Sequence, residues 1–331
     1  MSLPPPPSDP VVAPPQRRPG SVRRTSTMLM SWPDGLGTDL HLEGRARDFL
    51  TPSRGAPEVL RATSLDAVTS PDREIRTIET HPSVPGLERL VGCRAGANLR
   101  AAIAQELPDE VARGTPLHLL LDDLPGSTLI AGFAYFRWAD RFPEIRERIS
   151  GAASRRVMRG ICAGFRPGSS ALLSDGTSSG IRHNTAHPGP LVDPTDVLGW
   201  HDPGAHPEIA MRRARRIDLW RQGGTLNIDA MFRDSCWDPD GQEVVVHEYQ
   251  MLGEADPAGE TLLSVTAHPR VLPYAECPAA APHASRMAGA DLRAMRSTVL
   301  ERLRATDCCT HLNDGLRSLA EVPVLAASLP E

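Results

Sequence analysis

Aromatic side chains are scarce in this chain: Phe, Tyr and Trp make up 4% of 331 residues, which also hold 32 prolines. Any core must lean on Leu, Val, Ala and Ile, with proline-punctuated loops between elements. Net positive charge is missing, and the formal charge of −5 gives no general pull towards nucleic acid or an anionic membrane. There is no apolar run long enough to span a bilayer and no signal peptide, so the expectation is a cytoplasmic protein without membrane contact. Walker and dinucleotide glycine patterns are absent, as is any Cys-x-x-Cys pair.

The six cysteines, Cys93, Cys162, Cys236, Cys277, Cys308 and Cys309, are scattered, which fits reduced thiols rather than a disulfide framework. The length is comfortable for two domains. Residues 1–20 are proline-rich with little apolar content, and the expectation is a disordered, polyproline-like tail that stays off the fold.

Past the tail, Ser21 to Trp32 and Thr38 to Leu50 alternate as two strands around a hairpin signal at Asp34-Gly35. A third strand runs from Pro57 through Leu65, and a fourth, carrying Ile75 and Ile78, stops at His81-Pro82. Helical periodicity follows through Leu99, Ile103 and Leu107 and again from Thr115 to Leu124.

The same order recurs after residue 210. LHLEGRARD (Leu40 to Asp48) answers LNIDAMFRD (Leu226 to Asp234), Arg23-Arg24 answers Arg215-Arg216, His81-Pro82 answers His268-Pro269, and Thr115, Leu117, Leu121 and Leu124 answer Thr310, Leu312, Leu316 and Leu319. Four matches in one order point to a duplicated unit. The expected class is α+β: two tandem copies of an antiparallel four-stranded sheet with helices on one face. The first copy with a bridging helix (Ala131 to Ile149) spans 21–150, a Pro/Gly-rich linker or flap spans 151–210, and the second copy spans 211–331. Phe165, Leu172, Leu173, Val197, Leu198 and Trp200 suggest that the linker lies against the domains.

Blocks such as RRTSTMLMSWPDGLGTDLHLEGRARD, MRRARRIDLW, VVHEYQM, RVLPYAEC and CTHLNDGLRSL resemble the bacterial family known as domain of unknown function 2889, in a double-length actinobacterial form. That resemblance implies kinship and no activity, since the family has none established. It covers nearly the whole chain after the tail.

Candidate chemistry concentrates in the second copy. Where it has His247, Tyr249 and Cys309-Thr310-His311, the first has Leu60, Ala62 and Gly114-Thr115-Pro116, and nothing there matches Glu276-Cys277-Pro278. A helix starting at Cys308 with Asp307 as N-cap would expose Cys308 or Cys309 to the positive end of the backbone dipole, favouring thiolate. Core packing is the competing fate of a small thiol at a helix start. Cys277, Cys308, Cys309 and His311, with His247, also have the ligand types of zinc or an iron–sulfur centre, although Cys-x-His is not a common ligand clip. Alternation puts His247 and Tyr249 on one face of a strand, where a satisfied polar pair competes with catalysis. Gly176 to Gly180 has the letters of a nucleophile elbow without its strand and helix. The run Arg212-Arg213-Ala214-Arg215-Arg216 reads as a solvated strand edge, and Arg47-Asp48 and Arg233-Asp234 as structural pairs at strand ends.

Two classes of function stay open. One is a binding or assembly module for a protein or small-molecule partner, with its ligand site in the second copy. The other is a thiol- or metal-dependent enzyme using Cys277, Cys309 and His311, with His247 or Tyr249 beside them.

Overall fold

All eleven residues of β1 (Ser21–Ser31) are buried, as only a strand covered on both faces can be. The computed structural model, described over residues 3–142, 158–178 and 183–330, shows what covers it. β1 pairs antiparallel with β2 (Leu40–Thr51) on one side and β5 (Ala210–Gln222) on the other. β3 (Glu58–Thr69) and β4 (Ile75–His81) extend the first side; β6 (Thr225–Trp237), β7 (Glu243–Ala255) and β8 (Leu262–Val271) extend the second. The strands form one eight-stranded antiparallel sheet, ordered β4-β3-β2-β1-β5-β6-β7-β8. The α+β class stands, but the expectation of two separate four-stranded sheets is corrected. Pairing of β1 with β5 satisfies backbone groups that two free edges would leave open.

Helices α1 (Leu99–Glu106), α2 (Pro108–Arg113), α3 (Pro116–Ile130) and α4 (Phe133–Trp138) follow β4; α5 (Met295–Arg302), α6 (Thr310–Arg317) and α7 (Val322–Ala326) follow β8. Strand alternation sorts the two faces. Arg24 reaches the Gly114 carbonyl at 2.9 Å on the helical side, whereas Arg23 reaches the Gly199 and Pro15 carbonyls at 2.9 and 2.7 Å on the other. Thr25 and Thr27 hold the two ring nitrogens of His201, each at 2.8 Å. Linker and tail therefore cover the sheet's second face.

The tail is not detached, contrary to expectation. Leu272 N–H donates to Pro7 O at 3.2 Å, Val11 N–H donates to Glu248 Oε1 at 2.6 Å, and Arg17 clamps Asp196 at 2.6 Å. Proline-fixed extended backbone leaves these few groups free to pair sideways. In the linker Trp200 is buried against Leu191, Ala214 and Met231, and Phe165 is partly buried. Leu173, Val197 and Leu198 are exposed, so they do not anchor it. The bridging helix is described only as α4; residues 143–149 lie outside the described residues, as does part of the Gly176 to Gly180 motif.

Two apolar cores flank a charged seam. One gathers Met28, Leu42, Leu65, Ile75, Leu120 and Leu124; the other Ile228, Phe232, Met251, Leu262, Leu312 and Leu316. Between them Arg213 bonds Asp234 at 2.8 Å and reaches Asp314 at 3.1 Å and Asp123 at 3.4 Å. Arg215 bonds Asp123 at 2.5 Å, Arg24 bonds Asp48 and Glu321, and Arg100, Arg296 and Arg317 converge on Asp122. The sequence holds no lysine, so every one of these cations is a guanidinium, whose fork suits bidentate pairing. The arginine run on β5 is thus buried and paired rather than a solvated edge, because β5 is a central strand. Arg47-Asp48 and Arg233-Asp234 are also corrected. Neighbours on a strand face opposite ways: Asp48 pairs with Arg24, Asp234 with Arg213, and Arg233 with Glu248 at 2.6 Å.

Candidate functional site

Asp234 on β6 and His247 on β7 stand directly opposite each other, next to a register shift after Asp234. Tyr249, two residues along β7, shares the face of His247, and both are buried. The intervening Glu248 is fully buried on the other face, so both faces of this strand are covered. The third contributor is the start of α6. Cys308 is extended, at φ −113° and ψ 161°, so the helix begins at Thr310 with Cys309 as its N-cap. Asp307 is no cap: its carboxylate accepts from Arg286 at 2.8 Å.

These elements assemble a compact cluster. His311 Nδ1 lies 4.0 Å from Cys309 Sγ, and His311 Nε2 lies 3.8 Å from Asp234 Oδ2. His247 Nδ1 is also 3.8 Å from Asp234 Oδ2, and the two imidazoles stack. The Asp234 carboxylate is pinned by Arg213 at 2.8 and 3.1 Å. The Tyr249 hydroxyl is buried without a nitrogen or oxygen partner and lies against the Cys309 sulfur. Cys277 opens the 3-10 helix Cys277–Met287 and sits close enough to Cys309 for that buried thiol to disfavour ionisation of Cys277. Cys308 turns away and donates to the Ala305 carbonyl at 3.1 Å.

Burial decides the protonation states. It pushes the Cys309 thiol up to about 12 and Cys308 up to about 11, and raises Cys277 as well. The amides of Leu312 and His311 and the Tyr249 hydroxyl do favour the Cys309 thiolate, but less than burial opposes it. The expected thiolate at the helix start is therefore corrected to a neutral thiol. Burial, with Arg213 adding to it, lowers His311 to about 3; burial and His311 hold His247 well below its ordinary value. Both imidazoles are neutral at pH 7.

Among the described residues, Asp234, His247 and His311 form the one group of three metal-capable side chains whose ligand atoms lie within 4.8 Å of one another. Cys277, Cys308 and Cys309 join no such group. The triad itself does not fit zinc. An imidazole lone pair lies in the ring plane, and two nearly parallel planes 3.4 Å apart do not converge on one ion at bond lengths of roughly 2.0–2.1 Å. Both Asp234 oxygens are also taken up by Arg213. What the cluster does offer is an ordered succession of thiol, imidazole and carboxylate through Cys309, His311 and Asp234. Its 4.0 and 3.8 Å spacings exceed the roughly 2.6–3.2 Å of working proton-transfer contacts.

Sequence reasoning missed three participants. Asp234 and Arg213 become visible only once β5, β6 and β7 are paired, and Cys162 lies in the linker, far from the other thiols in the chain. A groove of about 370 Å³ runs nearby between β8 and the 3-10 helix, lined by Val265, Ala267, Pro269, Pro278, Ala281 and Pro282, and includes no residue of the cluster.

Residues 211–325 match the family described as Protein of unknown function (DUF2889), so the chain resembles that family over its second half. No curated protein and no solved structure matches the chain. Among the described residues, no helix is long and apolar enough to cross a membrane.

Proposed function

We propose that the chain is a cytoplasmic binding module whose second half holds a small polar ligand at Cys309, His311, His247, Tyr249 and Asp234. The observation that carries this reading is His247 Nδ1, buried without a hydrogen bond, beside a buried Tyr249 hydroxyl whose one hydrogen-bonding neighbour among the described residues is the weakly bonding Cys309 sulfur. Buried polar groups are nearly always satisfied, and each exception asks for a partner. A molecule with an acceptor for Tyr249 and a group that pairs with His247 Nδ1 supplies both. Ligand-detected NMR on the full chain, with a mixture of small planar acids and amides, tests it. Saturation transfer should appear for some of them and vanish in a His247→Asn, Tyr249→Phe variant. Equal transfer with the variant, or none with either protein, ends the reading.

The first half serves in this proposal as a scaffold copy that lacks the site. The cross-strand pairs Arg24–Asp48 and Arg213–Asp234 occupy matching places on β1–β2 and β5–β6. This register equates Arg23-Arg24 with Arg212-Arg213 rather than with Arg215-Arg216. Arg47 matches Arg233, yet Arg233 faces Glu248 across the sheet where Arg47 faces Ala62. Loss of charged partners from one half is what a duplicated, specialised pair would display.

A second reading, a thiol-dependent enzyme, is favoured by the succession Cys309, His311, Asp234. It requires Cys309 to react with iodoacetamide at pH 7 faster than a free cysteine, and His311→Ala to remove that advantage. Alkylation slower than that of free cysteine leaves the binding reading in place.

A further inference from the structure

Four of the six cysteines converge from three segments far apart in the chain. Cys162 comes from the linker, Cys277 from the turn after β8, and Cys308 and Cys309 from the approach to α6. Two contacts bring the linker there: Ala163 N–H donates to the Cys308 carbonyl at 2.8 Å, and Cys308 Sγ lies 3.7 Å from the Ile161 carbonyl. Gly164 permits the close approach. A Cβ at that position would stand 2.7 Å from the Cys277 sulfur, closer than carbon and sulfur pack, and 3.9 Å from the Cys162 sulfur. Both sulfurs crowd one point, and of the four thiols only Cys162 is partly exposed.

We propose that Cys162 and Cys277 are an oxidisable dithiol whose disulfide clasps residues 160–165 onto the second half. The step balances with a peroxide as oxidant. The Cys162 sulfur attacks one oxygen of hydrogen peroxide, the O–O bond breaks, and the departing hydroxide takes the thiol proton to leave as water. The resulting sulfenic acid is attacked by the Cys277 sulfur; the S–S bond forms, and the displaced hydroxide leaves as a second water with the Cys277 proton. Two thiols lose two electrons and peroxide gains them. A low-molecular-weight disulfide reaches the same product through a mixed disulfide. Cys308 stays out because its thiol donates to the Ala305 carbonyl, and Cys309 because its sulfur is held by Tyr249 and the first amides of α6. Burial raises both Cys162 and Cys277, so the reaction is slow at neutral pH and quickens as pH rises.

Peptide mapping of the peroxide-treated full chain under non-reducing conditions decides the matter. One cross-linked species should join the peptides of Cys162 and Cys277, lighter by two hydrogens and restored by dithiothreitol. It should be missing in Cys162→Ser and form more slowly in Gly164→Ala, where the added methyl lifts the linker from Cys277. Trypsin cleavage after Arg159 should slow about tenfold on oxidation, because the clasp suppresses local opening. A Cys277–Cys309 link with Cys162 left free, or Cys162 oxidised to sulfinic acid with no link, overturns the proposal. The wild-type map gives that answer even if a variant fails to fold.

Discussion

The rings of His247 and His311 stack face to face, with centroids 3.4 Å apart and planes 14° from parallel. They come from β7 and α6, so the contact fastens the start of the helix to the sheet directly over Asp234. Two imidazoles lie this close only while neither is charged, and neighbouring Arg213 reinforces that state. Metal binding would have to rotate at least one ring out of the stack. Elemental analysis of the purified chain should therefore find zinc far below one equivalent, unchanged by Cys309→Ser or His311→Ala. Near-stoichiometric zinc that disappears with His311→Ala would show that the stack opens.

Acid should unfold this protein early. His118 and His183 are lowered by burial to about 4, His201 and His311 to about 3, and His247 is lowered as well. A histidine whose folded value lies below its unfolded value of roughly 6.5 contributes stability that is full above that pH and is lost as pH falls towards the folded value. Each such group adds a slope of about 1.4 kcal/mol per pH unit within its window. Urea midpoints should stay level from pH 8 to 7 and fall steeply from pH 6.5 to 4. A flat profile down to pH 5 would mean that these histidines are not neutral and buried.

The seam between the two cores should be sensitive to single losses. Arg213→Met leaves Asp234 without its arginine and takes one of two arginines from Asp123 and from Asp314, and breaking a buried pair from one side costs about 3–5 kcal/mol. Arg113→Met, which removes an exposed pair with Asp109, should cost under about 1 kcal/mol. Chemical denaturation of the two variants makes the comparison; similar losses would refute the view that the seam is dry and interlocked.

The strands, their order and the hairpins were legible because short-range signals set them: Asp34-Gly35 turns the first hairpin, and alternation marks the strands. The joining of the halves was not legible. It depends on β1 pairing with β5 across 179 to 199 residues of chain, and once paired, a run of arginines that looks like a solvent-facing edge becomes a buried stretch of a central strand. Much the same applies to the site. Cys309, His311, His247 and Tyr249 stood out as residue types missing from the first half. Asp234, which lies against both imidazoles, looked like half of an Arg-Asp dipeptide, because its role is set by the strand opposite. Cys162 carried no signal at all within a linker rich in glycine and proline.

The proline-rich tail supplies the last prediction. Deleting residues 1–18 removes the amide of Val11 from Glu248, the carbonyl of Val11 from Arg233 at 3.0 Å, the carbonyl of Pro15 from Arg23, and the Arg17–Asp196 clamp. Glu248 is fully buried, so its carboxylate loses a strong hydrogen bond in a place where water must enter to replace it. The Arg23 and Arg233 guanidinium groups each lose an acceptor on the same face. Each uncompensated loss costs about 1–3 kcal/mol, part of it recovered by water once the face is open. At roughly 2–4 °C per kcal/mol for a chain of this size or somewhat smaller, the truncated protein should melt several degrees below the full chain. Glu248→Gln in the full chain should reproduce part of that fall. A melting temperature unchanged by truncation would mean that the tail only rests on the sheet and that the buried carboxylate is satisfied by Arg233 alone.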